Sequence, residues 1–324
     1  MTAGVPGRRF AVSADVAALG YRLLVVLLLG AGLTAASDAF FTQSNLINVL
    51  RQASLVFLIA SGLTLVILTA GLDLSVGANV GLSACIAATV MKASGSVTLA
   101  FLAGFGTGAL IGVANGLMVT FMRLPPFIAT YGTLWMLHGV TYWFMAGGTI
   151  YGFPPGFRAL GSGFFVGVPV PVYLMFAFLL AGGAFMRYTV YGQQVYAIGA
   201  NPEAARLSGV PVRARLMMVY ILSGAMAGIA ALVYLARLNS AEADLGEPLT
   251  LPAIAAVLIG GTSLFGGVGS ISGTLVGAII LTLVLNGMNL LTIDANWQPL
   301  MTGVIVLLAV WIDMVTRQRA EGRA

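Results

Sequence analysis

Gln52-Ala-Ser-Leu-Val-Phe-Leu-Ile-Ala-Ser-Gly-Leu-Thr-Leu-Val-Ile-Leu-Thr-Ala-Gly-Leu72 contains no charged side chain. A helix needs about 20 apolar residues to cross roughly 30 Å of hydrocarbon, and this run supplies them. Charge-free runs recur from Leu74 to Met91, Ala93 to Met122, Leu216 to Ala236, Pro248 to Ile293 and Ala295 to Ile312. The stretch from Pro248 to Ile293 is too long for one crossing. It is interrupted by Gly260-Gly-Thr-Ser-Leu-Phe-Gly-Gly-Val-Gly-Ser270, which reads as a turn between two helices.

The 324 residues are 59% apolar and 8% charged, whereas a soluble domain carries roughly 25% charged residues. An all-α integral membrane protein follows. The spacing of the charges predicts about ten transmembrane helices, near 18–36, 53–72, 74–91, 97–121, 126–146, 169–186, 216–236, 249–262, 271–291 and 296–314. They form a single transmembrane domain over 18–315, containing a polar segment at 187–215, with tails at 1–17 and 316–324. The run from Leu23 to Ala36 follows Arg8 and Arg9, so a cleaved secretory signal is considered, but the many later spans favour a retained first helix.

Orientation follows from where arginine accumulates. With the amino terminus inside, Arg8, Arg9, Arg123, Arg187, Arg206, Arg213, Arg215, Arg317, Arg319 and Arg323 fall on the cytoplasmic side. Arg51, Lys92, Arg158 and Arg237 fall outside, and both termini are expected in the cytoplasm. The net charge of +5 therefore reads as membrane topology and not as a nucleic-acid surface.

Glycines such as Gly104, Gly106, Gly108, Gly112 and Gly116 have the small-residue spacing that lets membrane helices approach closely. Two glycine-punctuated turns recur, Thr69-Ala-Gly-Leu-Asp-Leu-Ser-Val-Gly77 and Gly261 to Ser270, both expected at the cytoplasmic ends of helix pairs. They suggest two related halves of five helices, whose odd number makes them inverted.

Within the polar segment, Tyr196-Ala-Ile-Gly-Ala-Asn-Pro-Glu-Ala-Ala-Arg-Leu-Ser-Gly-Val-Pro211 encodes a short surface helix. Asn201 is a good N-cap, Pro202 suits the first helical position, Glu203 favours the positive end of the helix dipole, and Gly209 can close the helix in a left-handed conformation. Read locally, this is a capped connector and requires no partner.

Glu203-Ala204-Ala205, three residues and then Gly209 resembles the signature loop of ABC-importer permeases. Gly71-Leu-Asp-Leu-Ser-Val-Gly77 and the stretch from Gly260 to Gly273 extend the likeness, so that nearly the whole chain resembles the permeases of ribose-type monosaccharide ABC importers. The resemblance implies a vitamin-B12-importer-like permease in the bacterial inner membrane, paired with a second copy or a paralogue and surrounded by lipid. It also implies a cytoplasmic ATPase subunit that holds ATP and Mg, and an extracytoplasmic (periplasmic) sugar-binding protein. Asn201, Pro202, Glu203, Ala204, Ala205, Arg206 and Gly209 would form the ATPase-coupling loop; Gly71, Asp73, Ser75, Gly77, Gly266, Gly267 and Gly269 would be motif or gate residues.

The residues themselves bear on the energy source. The only lysine, Lys92, follows no Gly-x-x-x-x-Gly-Lys loop of the kind that cradles phosphates, so any ATP-driven motor must be another chain. Asp73 carries the competing hypothesis of a proton-coupled secondary transporter, because a charge deep in a membrane is expensive and functional by default. Capping of the helix that starts near Leu74 is the simpler role. Polar residues within spans, Thr64, Asn79, Asn115, Thr130, Tyr131, His138, Asn286 and Asn289, are candidates to line a path, with Asn79, Asn115, Asn286 and Asn289 foremost; hydrogen bonding between helices is the commoner role.

Cys85 is the only cysteine and His138 the only histidine, so no disulfide or metal cluster is expected, and no cofactor on this chain. No catalytic constellation is visible, and a transport subunit is expected rather than an enzyme. Permeases for branched-chain amino acids or nucleosides share the plan, which leaves the solute open.

Overall fold

A computed structural model describes residues 9–321. The described chain forms α1 (Arg9–Ala36), α2 (Gln43–Leu68), α3 (Val76–Ser94), α4 (Val97–Thr120), α5 (Pro126–Met145), β1 (Ile150–Tyr151), α6 (Pro155–Ser162), β2 (Phe164–Phe165), β3 (Val168–Pro169), α7 (Val170–Tyr188), α8 (Val190–Ala200), α9 (Pro202–Leu207), α10 (Val212–Leu238), β4 (Ser240–Ala241), α11 (Thr250–Ile259), α12 (Ile271–Leu290) and α13 (Trp297–Glu321). The ten predicted spans coincide with α1, α2, α3, α4, α5, α7, α10, α11, α12 and α13. Seven described helices are long and apolar enough to cross a membrane on those criteria alone. α11 has only 10 residues, about 15 Å at 1.5 Å per residue, and α5 has the length but not the apolarity.

Four expected boundaries are corrected. α2 begins at Gln43 and not near 53, because Arg51 does not end the helix: its guanidinium carbon lies 5.1 Å from the Phe164 ring centroid, so the long side chain is accommodated on an aromatic face. α2 also ends at Leu68 and not 72, and the chain runs without helix to Ser75, with Ala70 at φ +57°. The span expected at 249–262 is a short 3-10 helix, Glu247–Leu249, followed by α11. The segment at 187–215 is largely helical, since α7 continues to Tyr188, α8 and α9 follow, and α10 starts at Val212.

The core is built around α2 and α10, which run antiparallel. Gly62 faces Ser223 and Met226, while Gly71, just beyond the end of α2, lies against Tyr220. α10 packs on α3 and α4, and α2 packs on α11 and α12. α3 pairs with α4 and α5, just as α11 pairs with α12 and α13. The second half thus repeats the packing of the first, and the antiparallel α2–α10 pair makes the two halves inverted. α1 lies on α12 and α7 on α2.

The tightest packing is between α4 and α10. Gly104, Gly108, Gly112 and Gly116 form the contact stripe, and a methyl group on Gly108 would come 2.5 Å from the Gly224 carbonyl. Gly224 and Gly228 answer from α10, so small residues on both sides bring the backbones together where lipid offers no hydrophobic drive. Gly106 is not part of this stripe; nothing lies within 4 Å of the position its Cβ would take.

α8 and α9 lie at one end of the bundle, at the start of α10. At the other end β1 pairs antiparallel with β4, and Lys92 donates to the Gly152 carbonyl at 2.7 Å. β2 and β3 form a small hairpin turning at Val166 and Gly167, both with positive φ.

Candidate functional site

The segment from Thr69 to Ser75 leaves the end of α2 and turns back into the bundle. Its depth can be read from Ser223, whose hydroxyl lies 3.5 Å from Asp73 Oδ2. Ser223 stands 11 residues into the 27-residue α10, roughly 16 Å along a helix of about 40 Å. Asp73 is therefore well inside the bundle, and the expectation that this whole turn sits at the end of a helix pair is corrected. The turn can reach this depth because its polar groups find partners there.

Asp73 Oδ1 accepts from the Ser75 amide at 3.0 Å and the Ser75 hydroxyl at 2.7 Å, so it braces the turn into α3 while Ser75 occupies the N-cap position itself. Asn115 Nδ2 on α4 donates to Ser75 Oγ at 2.8 Å, and Thr133 Oγ on α5 donates to Asn115 Oδ1 at 2.7 Å. Thr130 Oγ accepts from the Leu74 amide at 3.2 Å and donates to the Leu72 carbonyl at 3.0 Å. Asp73, Ser75, Asn115, Thr130, Thr133 and Ser223 are all buried, and each hydrogen bond removes a desolvation cost that an orphaned group would retain. Beside this chain, the Tyr220 hydroxyl points at Gly71 and is buried with no hydrogen-bond partner.

The other half meets this site through Gly77. Its amide donates to Thr250 Oγ at 3.2 Å, and a Cβ on Gly77 would come 2.5 Å from the Gly246 carbonyl oxygen. Both α3 and α11 thus begin beside one another, α3 after a non-helical segment and α11 after the 3-10 turn Glu247–Leu249.

Four further pathway candidates, Thr64, Asn79, Asn286 and Asn289, are engaged in interhelical hydrogen bonds. Asn79 donates to the Gly108 carbonyl at 3.2 Å and accepts from Ser83 Oγ at 3.0 Å. Asn286 and Asn45 form a reciprocal amide pair, at 2.8 and 3.1 Å, between α12 and α2. Asn289 accepts from Gln298 at 2.9 Å, joining α12 to α13. Thr64 shares a 2.7 Å hydroxyl contact with Thr274. Among the described residues no group of three His, Cys, Asp or Glu side chains is placed to hold a metal ion.

A second cluster lies at the α8–α9 end. Asn201 Oδ1 accepts from the amides of Glu203 and Ala204, both at 3.0 Å, and Pro202 takes the first helical position of α9. Gly209 follows the helix at φ +84°, the left-handed conformation in which a side chain is strained. Ala205 is buried and anchors α9, while Leu207 is 74% exposed. Glu203 and Arg206 form an exposed ion pair at 2.6 Å, and the hydrogen bonds from Arg206 hold the Glu203 carboxyl below its ordinary range. A shallow groove of about 380 Å³ opens beside α8, lined by Arg187, Tyr188, Val190, Gln193 and Gln194 among others.

These short helices are joined to the bundle backbone to backbone. The Gly267 amide donates to the Leu68 carbonyl at 2.9 Å, and Gly199 of α8 sits so tightly against both that a Cβ would overlap the Leu68 carbonyl. Tyr196 donates to the Gly269 carbonyl at 2.9 Å. Gly266, Gly267 and Gly269 all have positive φ, which explains the glycines of this loop. α8 is thus in direct contact with both the end of α2 and the loop before α12. Sequence reasoning missed Gly199, Tyr196 and Ser223; only the glycine within an amphipathic stretch offered a signal.

The family described as branched-chain amino acid transport system / permease component matches residues 45–310. The chain is 41% identical over 295 residues to the ribose import permease protein RbsC of Escherichia coli (strain K12), covering 90% of this chain and 92% of the relative. It is 38% identical to the ribose import permease protein RbsC of Bacillus subtilis (strain 168), over 91% of both chains. The galactose/methyl galactoside import permease protein MglC of Escherichia coli (strain K12) is 35% identical, over 92% of this chain and 94% of the relative. No solved structure matches significantly.

Proposed function

The chain belongs to the family of branched-chain amino acid transport system permease components, and from that membership we propose that it is the transmembrane permease subunit of an ATP-binding-cassette importer for a monosaccharide. It is a multi-pass protein of the bacterial inner membrane, with both termini in the cytoplasm and α8 and α9 facing the cytosol. The ATP and Mg are held by a separate ATPase subunit, a periplasmic sugar-binding protein delivers the solute, and a second permease copy or paralogue completes the path.

One observation carries the mechanism: the backbone junction of Gly199, Leu68 and Gly267. An ATPase that grips α9 through Glu203, Ala204, Arg206 and Leu207 moves α8 with it. That motion reaches α2 and the glycine loop without passing through a flexible linker. Asn201, Pro202, Ala205 and Gly209 keep α9 folded and correctly presented. The α2–α3 turn, with Gly71, Asp73, Ser75 and Gly77, is the gate element that responds.

The solute class rests on the relatives, which are named for ribose and galactose import. They do not favour the proton-coupled alternative built on Asp73. The test is uptake into vesicles that hold this chain with its ATPase and binding protein. Labelled ribose or galactose should enter with ATP, and neither should enter with a proton gradient alone. Uptake of leucine in place of sugar would move the chain to the amino-acid branch, and proton-driven uptake abolished by Asp73→Asn would restore the secondary-transporter reading.

A further inference from the structure

α5 presents two unlike faces. Its inner face is fixed by Thr130 and Thr133 in the Asp73 cluster and by buried Leu137 and Thr141. Its outer face carries an unbroken aromatic ladder. Phe127 stacks on Tyr131 at 5.8 Å, Tyr131 meets Trp135 edge-on at 6.3 Å, Trp135 lies 5.9 Å from His138, and His138 stacks on Tyr142 at 6.3 Å. Tyr131 is 46%, Trp135 61% and Tyr142 51% exposed within the chain.

Lipid is a poor neighbour for this face. The exposed large side chains of α4, which packs beside it, are aliphatic or phenylalanine, such as Leu102, Phe105 and Leu110. Tyrosine and tryptophan do collect at membrane interfaces, but Trp135 and His138 sit at the middle of a 20-residue helix, which for a membrane-crossing α5 is far from either interface. Hydroxyl, indole and imidazole groups there have no water to satisfy them unless they line a hydrated space. This polarity is also why α5, alone among the described helices of span length that carry no charge, is not apolar enough to count as a span.

We infer that the aromatic ladder of α5 is a wall of the solute path and binds the sugar ring as it passes. This rests on the reading of the chain as a sugar permease. A monosaccharide is the ligand whose two surfaces match the ladder. The C–H face of its ring packs against the electron-rich face of an aromatic ring, and its rim of hydroxyls meets Tyr131 Oη, Trp135 Nε1, the His138 imidazole and Tyr142 Oη. From Phe127 to Tyr142 the ladder climbs about 22 Å, so a sugar can step from ring to ring without occupying one deep, retentive site.

Two measurements on the complete importer test this. In a Cys85→Ala background, Tyr131→Cys and His138→Cys should react with a membrane-impermeant, water-soluble thiol reagent in reconstituted vesicles, and D-ribose or D-galactose should slow the reaction; Leu110→Cys on α4 should stay unreactive. Trp135→Leu should lower sugar uptake about threefold to tenfold, the range expected for losing one aromatic contact, while Trp135→Phe retains most of it. Cysteines at 131 and 138 as inert as that at 110, or a Trp135→Leu importer that transports normally, overturn the inference. Failure of the wild-type complex to import either sugar counts against the sugar reading itself, and labelling without sugar protection then counts against the ladder as a sugar wall.

Discussion

The backbone amide of Gly267 reaches the carbonyl of Leu68 at 2.9 Å, so the last turn of α2 and the loop before α12 are hydrogen-bonded across the two halves of the bundle. Gly199 closes the same junction from α8. A side chain at Gly199 has no room, and relieving the overlap requires the backbones to separate.

Gly199→Val should therefore act as an overpacked core substitution and destabilise the permease by about 1–3 kcal/mol. The purified importer should melt at lower temperature and ATP hydrolysis should no longer follow sugar uptake. Unchanged melting would show that α8 does not bear on Leu68.

Gly108→Leu should separate α4 from α10 and sharply lower the amount of permease that elutes as a single species in mild detergent. Gly106→Leu, two residues away, should leave it unchanged, because open space surrounds that position. The contrast isolates packing from any general intolerance of leucine on α4.

Asn115→Leu leaves the Ser75 and Thr133 hydroxyls without their bridging partner. Each hydroxyl keeps one partner, Asp73 for Ser75 and the Ala129 carbonyl for Thr133, so the loss is that of two interhelical hydrogen bonds at about 0.5–1.5 kcal/mol each, and a fall in thermal stability is expected together with reduced uptake. Asn115→Asp keeps the acceptor for Thr133 but loses the donor to Ser75 and buries a second carboxylate near Asp73, so it should melt no higher than the leucine variant.

Glu203→Arg removes the exposed pair with Arg206 and reverses a charge on the surface assigned to the ATPase. An exposed pair contributes little to folding, so the melting temperature should hold. ATP-driven uptake should fall steeply, and the ATPase should dissociate more readily on washing; normal uptake would remove α9 from the coupling route.

The order of the long helices was legible because charges in this sequence sit almost wholly between hydrophobic runs, and the capped helix at Asn201 was legible because its signals are local. Arg51 misled for the same reason: a charge was read as a boundary when its stem and an aromatic ring carry it inside a helix. The inward bend at Asp73 was hidden because its partners Asn115, Thr133 and Ser223 lie on three other helices. The Asn45–Asn286 pair spans 241 positions and leaves no trace in local pattern. The ladder on α5 escaped notice because hydropathy weighs each residue alone, whereas its meaning lies in five rings sharing one stripe.

Gly77 and Thr250 join the two places where the inverted halves interrupt their helices. The starts of the two interrupted helices are in backbone-close contact there. A pull applied on the cytosolic side would thus tip both halves at once, like the arms of a balance on a common pivot, and a pore open at both mouths would require breaking the pivot itself.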